Sequence, residues 1–177
     1  MDKKFFLVGM PASGKSTIGK VVAAQLGYRF IDLDKVIVQN EGKEITEIFS
    51  ENGEDYFRVV EQKCLNQILD LNVPLVLATG GGAPCFFDNM KKMNKAGTTI
   101  FLDVPIEDLV NKLKTKGTKK RPLLKDIAHE GLELELLKKY EHRKKFFEQS
   151  DISLRQNFGD TAERVNQVIL AIRSLEE

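Results

Sequence analysis

A run of small residues that ends in lysine and two hydroxyl side chains carries the clearest chemistry in this chain. Residues 9–17 read Gly-Met-Pro-Ala-Ser-Gly-Lys-Ser-Thr, follow an apolar run at 5–8, and match a phosphate-binding loop at every required position. Glycines at both ends let the backbone curl so that successive N–H groups point at a phosphate chain, and the next helix adds its positive N-terminal end. The pattern predicts a nucleotide-phosphate site. The alternative is a plain turn between two core elements.

Single side chains of this loop have distinct predicted tasks. Lys15 is placed to reach the β- and γ-phosphates, and the hydroxyl of Ser16 is placed to bind Mg²⁺. The residues predicted to bind the nucleotide here are Ala12, Ser13, Gly14, Lys15, Ser16 and Thr17.

Two carboxylates mark the end of the second predicted strand, in the run Phe-Ile-Asp-Leu-Asp at 30–34. Ligands of open parallel sheets bind outside the carboxyl ends of the strands, so we expect Asp32 and Asp34 to face the phosphate loop. Asp32 is predicted to help hold hydrated Mg²⁺, and Asp34 to orient a substrate hydroxyl and accept its proton. The alternatives are a solvated strand end for Asp32 and, for Asp34, an N-cap of a helix that starts at Lys35.

Two arginines are candidates for binding an anionic substrate. Arg58 lies in the first turns of a predicted helix, where a cation opposes the helix dipole unless something negative is near. It either forms a weak surface pair with Glu54 or Glu61, or clamps a substrate carboxylate through two parallel hydrogen bonds. Arg143 lies late in a long charged helix and would by itself pass as a solvated cation.

Three consecutive glycines, Gly80, Gly81 and Gly82, follow the apolar run at 75–78. Such a run costs backbone entropy and offers no packing, so a ligand that approaches the bare backbone is the best compensation, with a tight turn as the alternative. The run at 75–78 also lacks the aspartate that many phosphate-loop enzymes carry there for a metal. For that reason we assign the metal-binding task to Asp32.

The segment from about 115 to 129 breaks the regular pattern of the chain. Six basic residues occur between Lys112 and Arg121, with a glycine and a proline but no sustained periodicity. A solvated surface loop would explain them. A mobile lid that closes over nucleotide phosphates is the interpretation that a phosphate loop elsewhere in the chain favours.

The elements that must position these residues alternate between strand and helix, which is the pattern of an α/β fold with a parallel sheet covered by helices on both faces. Five strands are predicted, at 5–8, 29–33, 75–78, 98–102 and 152–154. One helix follows the phosphate loop, and the others are predicted at 34–40, 45–50, 54–71, 86–95, 106–114, 132–148 and 161–175.

Composition narrows the class of protein. The 177 residues suit one domain, 42% of them are hydrophobic, and 27 basic against 26 acidic residues give a net charge of +1. No long-range field therefore favours nucleic acid or an anionic membrane. Signal-like and membrane-spanning runs are lacking, and the two cysteines do not make a disulfide framework. We expect a monomeric cytoplasmic protein with a small-molecule substrate.

Taken together, these motifs resemble the shikimate kinase family over nearly the whole chain. The resemblance rests on the loop at 9–17, Asp-Leu-Asp at 32–34, Gly-Glu-Asp-Tyr-Phe-Arg at 53–58, the three glycines, Arg-Pro-Leu-Leu at 121–124 and the arginine helix that ends in Ser-Asp at 150–151. It implies a P-loop NTPase fold with a lid and a substrate-binding helical region at about 34–62, in a single kinase domain.

The resemblance also implies an activity, the phosphorylation of the 3-hydroxyl of shikimate by MgATP. The alternatives are another small-molecule kinase of the same architecture, such as a gluconate kinase, and a nucleotide-sensing protein that kept the fold and lost turnover. Asp34, Arg58, Gly81 and Arg143 would contact shikimate, Arg121 would reach ATP from the lid, and Arg155 is similar in position to a residue near adenine. Lys15, Arg121 and Asp34 would form the catalytic set. The chain departs from the family in two places: Lys-Phe-Phe at 145–147 replaces a common Pro-Leu-Tyr, and Ala12 stands where glycine is common, at a free position of the motif where we expect little effect.

Overall fold

The computed structural model describes residues 3–117, 122–124, 131–156 and 160–175. Within these ranges five strands form one parallel sheet, in the order β2-β3-β1-β4-β5. The strands are β1 (Lys4–Val8), β2 (Arg29–Asp32), β3 (Leu75–Ala78), β4 (Thr98–Asp103) and β5 (Ile152–Arg155). The predicted α/β class and the five parallel strands are therefore confirmed.

Seven helices are described around this sheet, together with short 3-10 turns at Ala83–Cys85 and Pro122–Leu124. The helices are α1 (Lys15–Leu26), α2 (Leu33–Glu41), α3 (Ile45–Leu69), α4 (Asn89–Ala96), α5 (Ile106–Lys116), α6 (Leu132–Phe147) and α7 (Thr161–Arg173). Over the same residues, no helix has both the length and the apolar character that a membrane span requires.

Alternate residues of β1 face two separate cores. Phe6 and Val8 pack into a larger core with α2 to α6, whereas Phe5 and Leu7 pack into a smaller one with α1 and α7. Each buried side chain of this size contributes about 1.5–3 kcal/mol relative to its exposed state. Because β1 is buried on both faces between β3 and β4, the loop that follows it lies at the centre of the sheet edge, where ligands of such folds bind.

The largest differences from the predicted helix boundaries, in α3 and α4, have local reasons. The helices predicted at 45–50 and 54–71 are one element, α3, which carries a non-helical residue inside it, Gly53, at φ 81° and ψ 177°. The helix predicted to begin at residue 86 begins at Asn89, because Phe87 and Asp88 have left-handed φ values of 51° and 56°.

Candidate active site

A cleft of about 350 Å³ opens at the carboxyl ends of β1, β2 and β3. Most of the predicted site residues line it: Ala12, Gly14, Lys15, Ser16, Thr17, Asp34, Arg58, Gly80, Gly81, Gly82 and Arg143. Ser13, Asp32 and Arg155 do not belong to this lining. Arg121 and most of the predicted lid lie outside the described residues, although Pro122, Leu123 and Leu124 border the cleft.

The phosphate loop has the backbone of an anion-binding nest. Ala12 and Gly14 have left-handed φ values of 68° and 96°, and α1 begins at Lys15 with no side chain capping its first amides. An ordinary side chain in this conformation costs about 1 kcal/mol or more. Alanine at position 12 therefore carries a conformational cost that glycine would not, while the small effect expected of this departure on the motif stays a prediction.

Three cationic side chains donate hydrogen bonds to carbonyl groups of this loop. Lys15 Nζ donates to the carbonyls of Gly9 and Met10, at 2.9 and 2.8 Å. Lys112 Nζ, from α5, donates to the carbonyl of Ala12 at 2.9 Å, and Arg164, from α7, donates to that of Ser13. Since a carbonyl and the next N–H of a peptide unit point in opposite directions, the contact from Arg164 leaves the N–H of Gly14 available to an anion, whereas the N–H of Ser13 donates to the carbonyl of Met10 at 3.2 Å.

Arg164 is not among the residues predicted from the sequence, and Lys112 is predicted there only as part of a basic segment. Arg164 is 6% exposed and lies next to the apolar stripe of α7, in the first turns of that helix. A cation at such a position was the available signal, because it opposes the helix dipole.

The oxygen donors beside the loop fit a magnesium ion held mainly by nucleotide and water. The exposed Ser16 borders both the cleft and a neighbouring groove, and Asp32 borders the same groove. Among the described residues there is no cluster of three or more His, Cys, Asp or Glu side chains that could bind a metal by itself. Mg²⁺ commonly binds in this way, through one or two protein oxygens with phosphates and water completing its shell.

The N-cap of α2 is Asp32 and not Asp34. Asp32 Oδ1 accepts a hydrogen bond from the backbone N–H of Asp34 at 3.1 Å, and the helix begins at Leu33. The alternative in which Asp34 caps a helix starting at Lys35 is therefore wrong. Asp34 lies in the first turn of α2 and lines the cleft, where the positive end of the helix favours the ionised carboxylate.

Arg58 forms both ion pairs that the sequence suggested, but it is not on the surface. Its guanidinium lies 2.9 Å from Glu54 and 2.8 Å from Glu61, and the residue is 4% exposed. The rings of Phe57 and Phe86 flank it, with centroids 5.1 and 4.4 Å from the guanidinium carbon. The guanidinium is thus fixed in orientation where it lines the cleft.

Glu61 is buried beside this arginine, with 1% of its surface exposed. Its Oε2 accepts a hydrogen bond from Arg58, whereas its Oε1 has no hydrogen-bond partner among the described residues. Burial raises the pKa of Glu61 to about 7, against the opposing effect of the Arg58 charge, and the negative charge of Asp34 adds to the rise. Two carboxylates therefore face the same part of the cleft.

Arg143 is buried at the cleft without a full set of partners. It is 8% exposed, and its Nη1 makes no hydrogen bond within the described part of the chain. Desolvation lowers the pKa of this guanidinium. Within the departure at 145–147, Phe147 is fully buried and stacks on Phe101 with ring centroids 5.0 Å apart. A buried guanidinium with an unsatisfied N–H group is suited to binding an anionic ligand.

The three glycines are approached closely by side chains of the site itself. A Cβ on Gly80 would lie 2.7 Å from Glu61 Oε1 and 3.4 Å from Asp34 Oδ1. A Cβ on Gly82 would lie 2.7 Å from Arg58 Nη2, and one on Gly81 would meet Pro11 at 2.7 Å. Bare backbone is therefore needed here to admit the charged side chains, while close approach of a ligand stays a prediction.

Arg155 ends β5 at a distance from this lining. Its side chain is 73% exposed, and its Nη1 lies 3.3 Å from Asp103 Oδ2. An exposed pair of this kind contributes little to stability. The proposed contact with adenine stays a prediction.

Comparison with known proteins gives a consistent result. The family model for shikimate kinase matches residues 11–173. A shikimate kinase from Persephonella marina is 41% identical over 171 residues, which is 97% of this chain and 99% of that protein.

Solved structures agree with the sequence comparison. A shikimate kinase from Acinetobacter baumannii in complex with shikimate superposes with a TM-score of 0.90 at 30% identity, covering 98% of this chain and 94% of the other. A gluconokinase from Sinorhizobium meliloti, at 15% identity and a TM-score of 0.61 over 98% of this chain and 93% of its own, shares the fold alone.

Proposed function

The chain belongs to the shikimate kinase family, and we propose that it transfers the γ-phosphoryl group of MgATP to the 3-hydroxyl of shikimate, giving 3-phosphoshikimate for the synthesis of chorismate and aromatic amino acids. One observation carries the proposal: a phosphate loop, a carboxylate in a helix first turn, and two buried arginines line one cleft. Shikimate offers matching groups, a carboxylate for the arginines and a hydroxyl for the carboxylate.

On the donor side, the chain binds phosphates with backbone amides of 12–17 and with Lys15. A Mg²⁺ ion bound beside Ser16, with Asp32 acting through water, would neutralise phosphate charge. Lys15 leaves its carbonyl acceptors on Gly9 and Met10 for phosphate oxygens, and Arg121 reaches the nucleotide from the lid. Catalysis of this kind is mostly positioning and stabilisation of charge.

On the acceptor side, Arg58 and Arg143 bind the carboxylate of shikimate and so fix the orientation of the ring. Asp34 accepts a hydrogen bond from the 3-hydroxyl, aligns its oxygen, and takes its proton as phosphoryl transfer proceeds. The backbone at Gly80, Gly81 and Gly82 borders the bound ring, and Arg155 lies near adenine.

We further propose a single kinase domain, 1–177, that acts as a monomer in the cytoplasm. The same chain supplies the phosphate loop, Asp34 and both buried arginines of the cleft, so the proposed chemistry needs no residue from a second copy. Cys64 and Cys85 are both unpaired thiols, as is usual in a reducing compartment. Sedimentation velocity at micromolar concentration would test the oligomeric state.

An ADP-release assay on shikimate, gluconate and nucleoside monophosphates tests the function. We expect turnover with shikimate and none above background with the others. Turnover with another of these substrates in place of shikimate would contradict the assignment. NMR of the product would show whether phosphate is attached at the 3-hydroxyl.

The affinity for shikimate should fall as the pH rises above about 7, because of Glu61. The pKa of Glu61 in the free protein is about 7, and a substrate carboxylate on Arg58 adds negative charge nearby and raises that pKa further. Above pH 7, binding of shikimate must therefore be accompanied by protonation of Glu61, so the affinity for shikimate falls as the proton concentration falls. Below pH 7, Glu61 is already protonated in the free protein, and the affinity no longer depends on this group. Calorimetry in two buffers of different ionisation heat would measure the uptake.

Glu61→Gln should remove this pH dependence, because the amide does not titrate. Glu54→Gln is the matched control, since Glu54 pairs with the same guanidinium from a more exposed position. It should keep the pH dependence of the unmodified protein. An affinity of the unmodified protein that does not change from pH 7 to 8.5 would contradict the role of Glu61.

A further inference from the structure

Arg164 lies behind the phosphate loop, on the side away from the cleft. Its Nη2 donates to the carbonyl of Ser13 and its Nε donates to Oε1 of Gln156 at 2.8 Å. The guanidinium packs against Gly14 so closely that a Cβ there would lie 3.1 Å from Nη1. Arg164 does not line the cleft, so a bound nucleotide would meet the loop and not this side chain.

The position is unfavourable for a cation unless the charge has a use. Burial lowers the pKa of Arg164, although the charge of Asp108 acts in the opposite direction. The residue also lies in the first turns of α7, where the helix dipole disfavours positive charge. An apolar side chain of similar size would fill the same space without these costs. An apolar side chain could not, however, donate a charged hydrogen bond to a carbonyl of the loop.

The hydrogen bond to Ser13 acts on the peptide unit between Ser13 and Gly14. A charge-assisted donor holds the carbonyl of this unit outward, so the N–H of Gly14, at its other end, is directed to the opposite side. The cation also polarises the peptide, which strengthens the N–H as a donor. If this unit turned over, its carbonyl oxygen would face the phosphates and repel them.

Gln156 orients the arginine. It is fully buried just after β5, and its backbone N–H donates to the carbonyl of Asp103 at 2.8 Å, which fixes it to β4. Its Oε1 accepts the hydrogen bond from Arg164, and its Nε2 lies 3.3 Å from Gln167 Oε1. Through Gln156 and Arg164, the end of β5 is thereby connected to the phosphate loop. The two residues of the last contact, Arg164 and Ser13, are 151 positions apart in the sequence.

We propose that Arg164, oriented by Gln156, is a positioning residue for nucleotide phosphates. It keeps the peptide between Ser13 and Gly14 in the orientation that binds an anion, and it acts without touching the ligand. The inference rests on the proposed function in one respect, namely that the loop holds the phosphates of the nucleotide. Lys112 has a different role, because it also donates to a loop carbonyl but lines the cleft and can contact the ligand directly.

Calorimetric titration of Arg164→Met with MgADP, and separately with shikimate, tests the proposal. We expect the dissociation constant for MgADP to rise about tenfold or more, because a charged hydrogen bond to the loop is lost. The constant for shikimate should change by less than about twofold, because Arg164 does not line the cleft that holds Arg58 and Arg143. Arg164→Lys should be intermediate, since it keeps the charge but not the planar fork.

The matched control is Arg173→Met, which removes an exposed arginine from the other end of α7 and should bind both ligands as the unmodified protein does. A folded Arg164→Met protein that binds MgADP within about twofold of the unmodified chain would overturn the proposal. An equal loss for both ligands would overturn it too, because it would show a general structural defect.

If Arg164→Met does not fold, Arg164→Lys and Gln156→Leu decide the matter by the same two titrations. Weaker MgADP binding with unchanged shikimate binding supports the positioning role, and unchanged MgADP binding in both variants excludes it. These titrations need no turnover. A chain that binds MgADP but does not phosphorylate shikimate would contradict the proposed function and leave this inference standing.

Discussion

Asp34→Asn is expected to lower kcat for shikimate phosphorylation by about 10²–10⁴-fold, the range typical for loss of a proton acceptor. Asparagine keeps the size of the side chain, and the cap of α2 remains because it is formed by Asp32. The amide oxygen can still accept a hydrogen bond from the 3-hydroxyl, but it cannot take the proton, so the attacking oxygen would not be activated. Initial rates with saturating ATP and shikimate measure the effect.

Nucleotide binding should survive this change, because Asp34 lies outside the phosphate loop. MgADP titration of Asp34→Asn should give a dissociation constant within about threefold of that of the unmodified protein. Asp55→Asn, at an exposed position of α3, is the control and should keep full activity. A kcat of Asp34→Asn within a few-fold of the control would show that Asp34 is not the proton acceptor.

Arg143→Met is expected to raise the KM for shikimate by about 30-fold or more without lowering thermal stability. Loss of a buried charged partner typically costs a complex about 2–5 kcal/mol. In the free protein the same guanidinium is desolvated, and its Nη1 has no hydrogen-bond partner among the described residues. Methionine removes that cost, so the melting temperature should stay the same or rise.

Arg58→Met should weaken shikimate binding as well, but with the opposite effect on stability. Its removal leaves Glu61 buried without a cation, which raises the pKa of this carboxyl further and costs about 3 kcal/mol of stability at pH 8, where the unfolded chain has the group ionised. Thermal denaturation of both variants at pH 8 would separate the two arginines. An unchanged KM in either variant would remove that arginine from the carboxylate site, and equal melting temperatures would contradict the difference in pairing.

The helix boundary at Asp32 shows how a small error in sequence interpretation changes the assignment of a residue. A start at Lys35 would make Asp34 a capping residue, whereas the observed start at Leu33 gives the cap to Asp32 and places Asp34 in the cleft. The sequence pattern does not resolve such a shift, because Asp32 and Asp34 are both good N-cap residues.

The sequence by itself determined the features that depend on neighbours along the chain. The phosphate loop followed from the spacing of glycine, lysine and serine at 9–17, and the parallel sheet followed from the alternation of apolar runs with helical segments. Backbone conformation and hydrophobic periodicity are local properties, so a local pattern predicts them.

Only the tertiary structure decided which charges are buried and against what. By spacing alone, Arg58 and Glu61 cannot be distinguished from an ion pair on the surface of a helix. The sequence likewise does not distinguish Arg143 or Arg164 from a solvated arginine of a helix. Their environments come from packing between segments far apart in sequence, as in the 151-residue separation between Arg164 and Ser13. Desolvation depends on that packing, which explains why the cleft, its buried cations and the pKa of Glu61 emerge only in the folded chain.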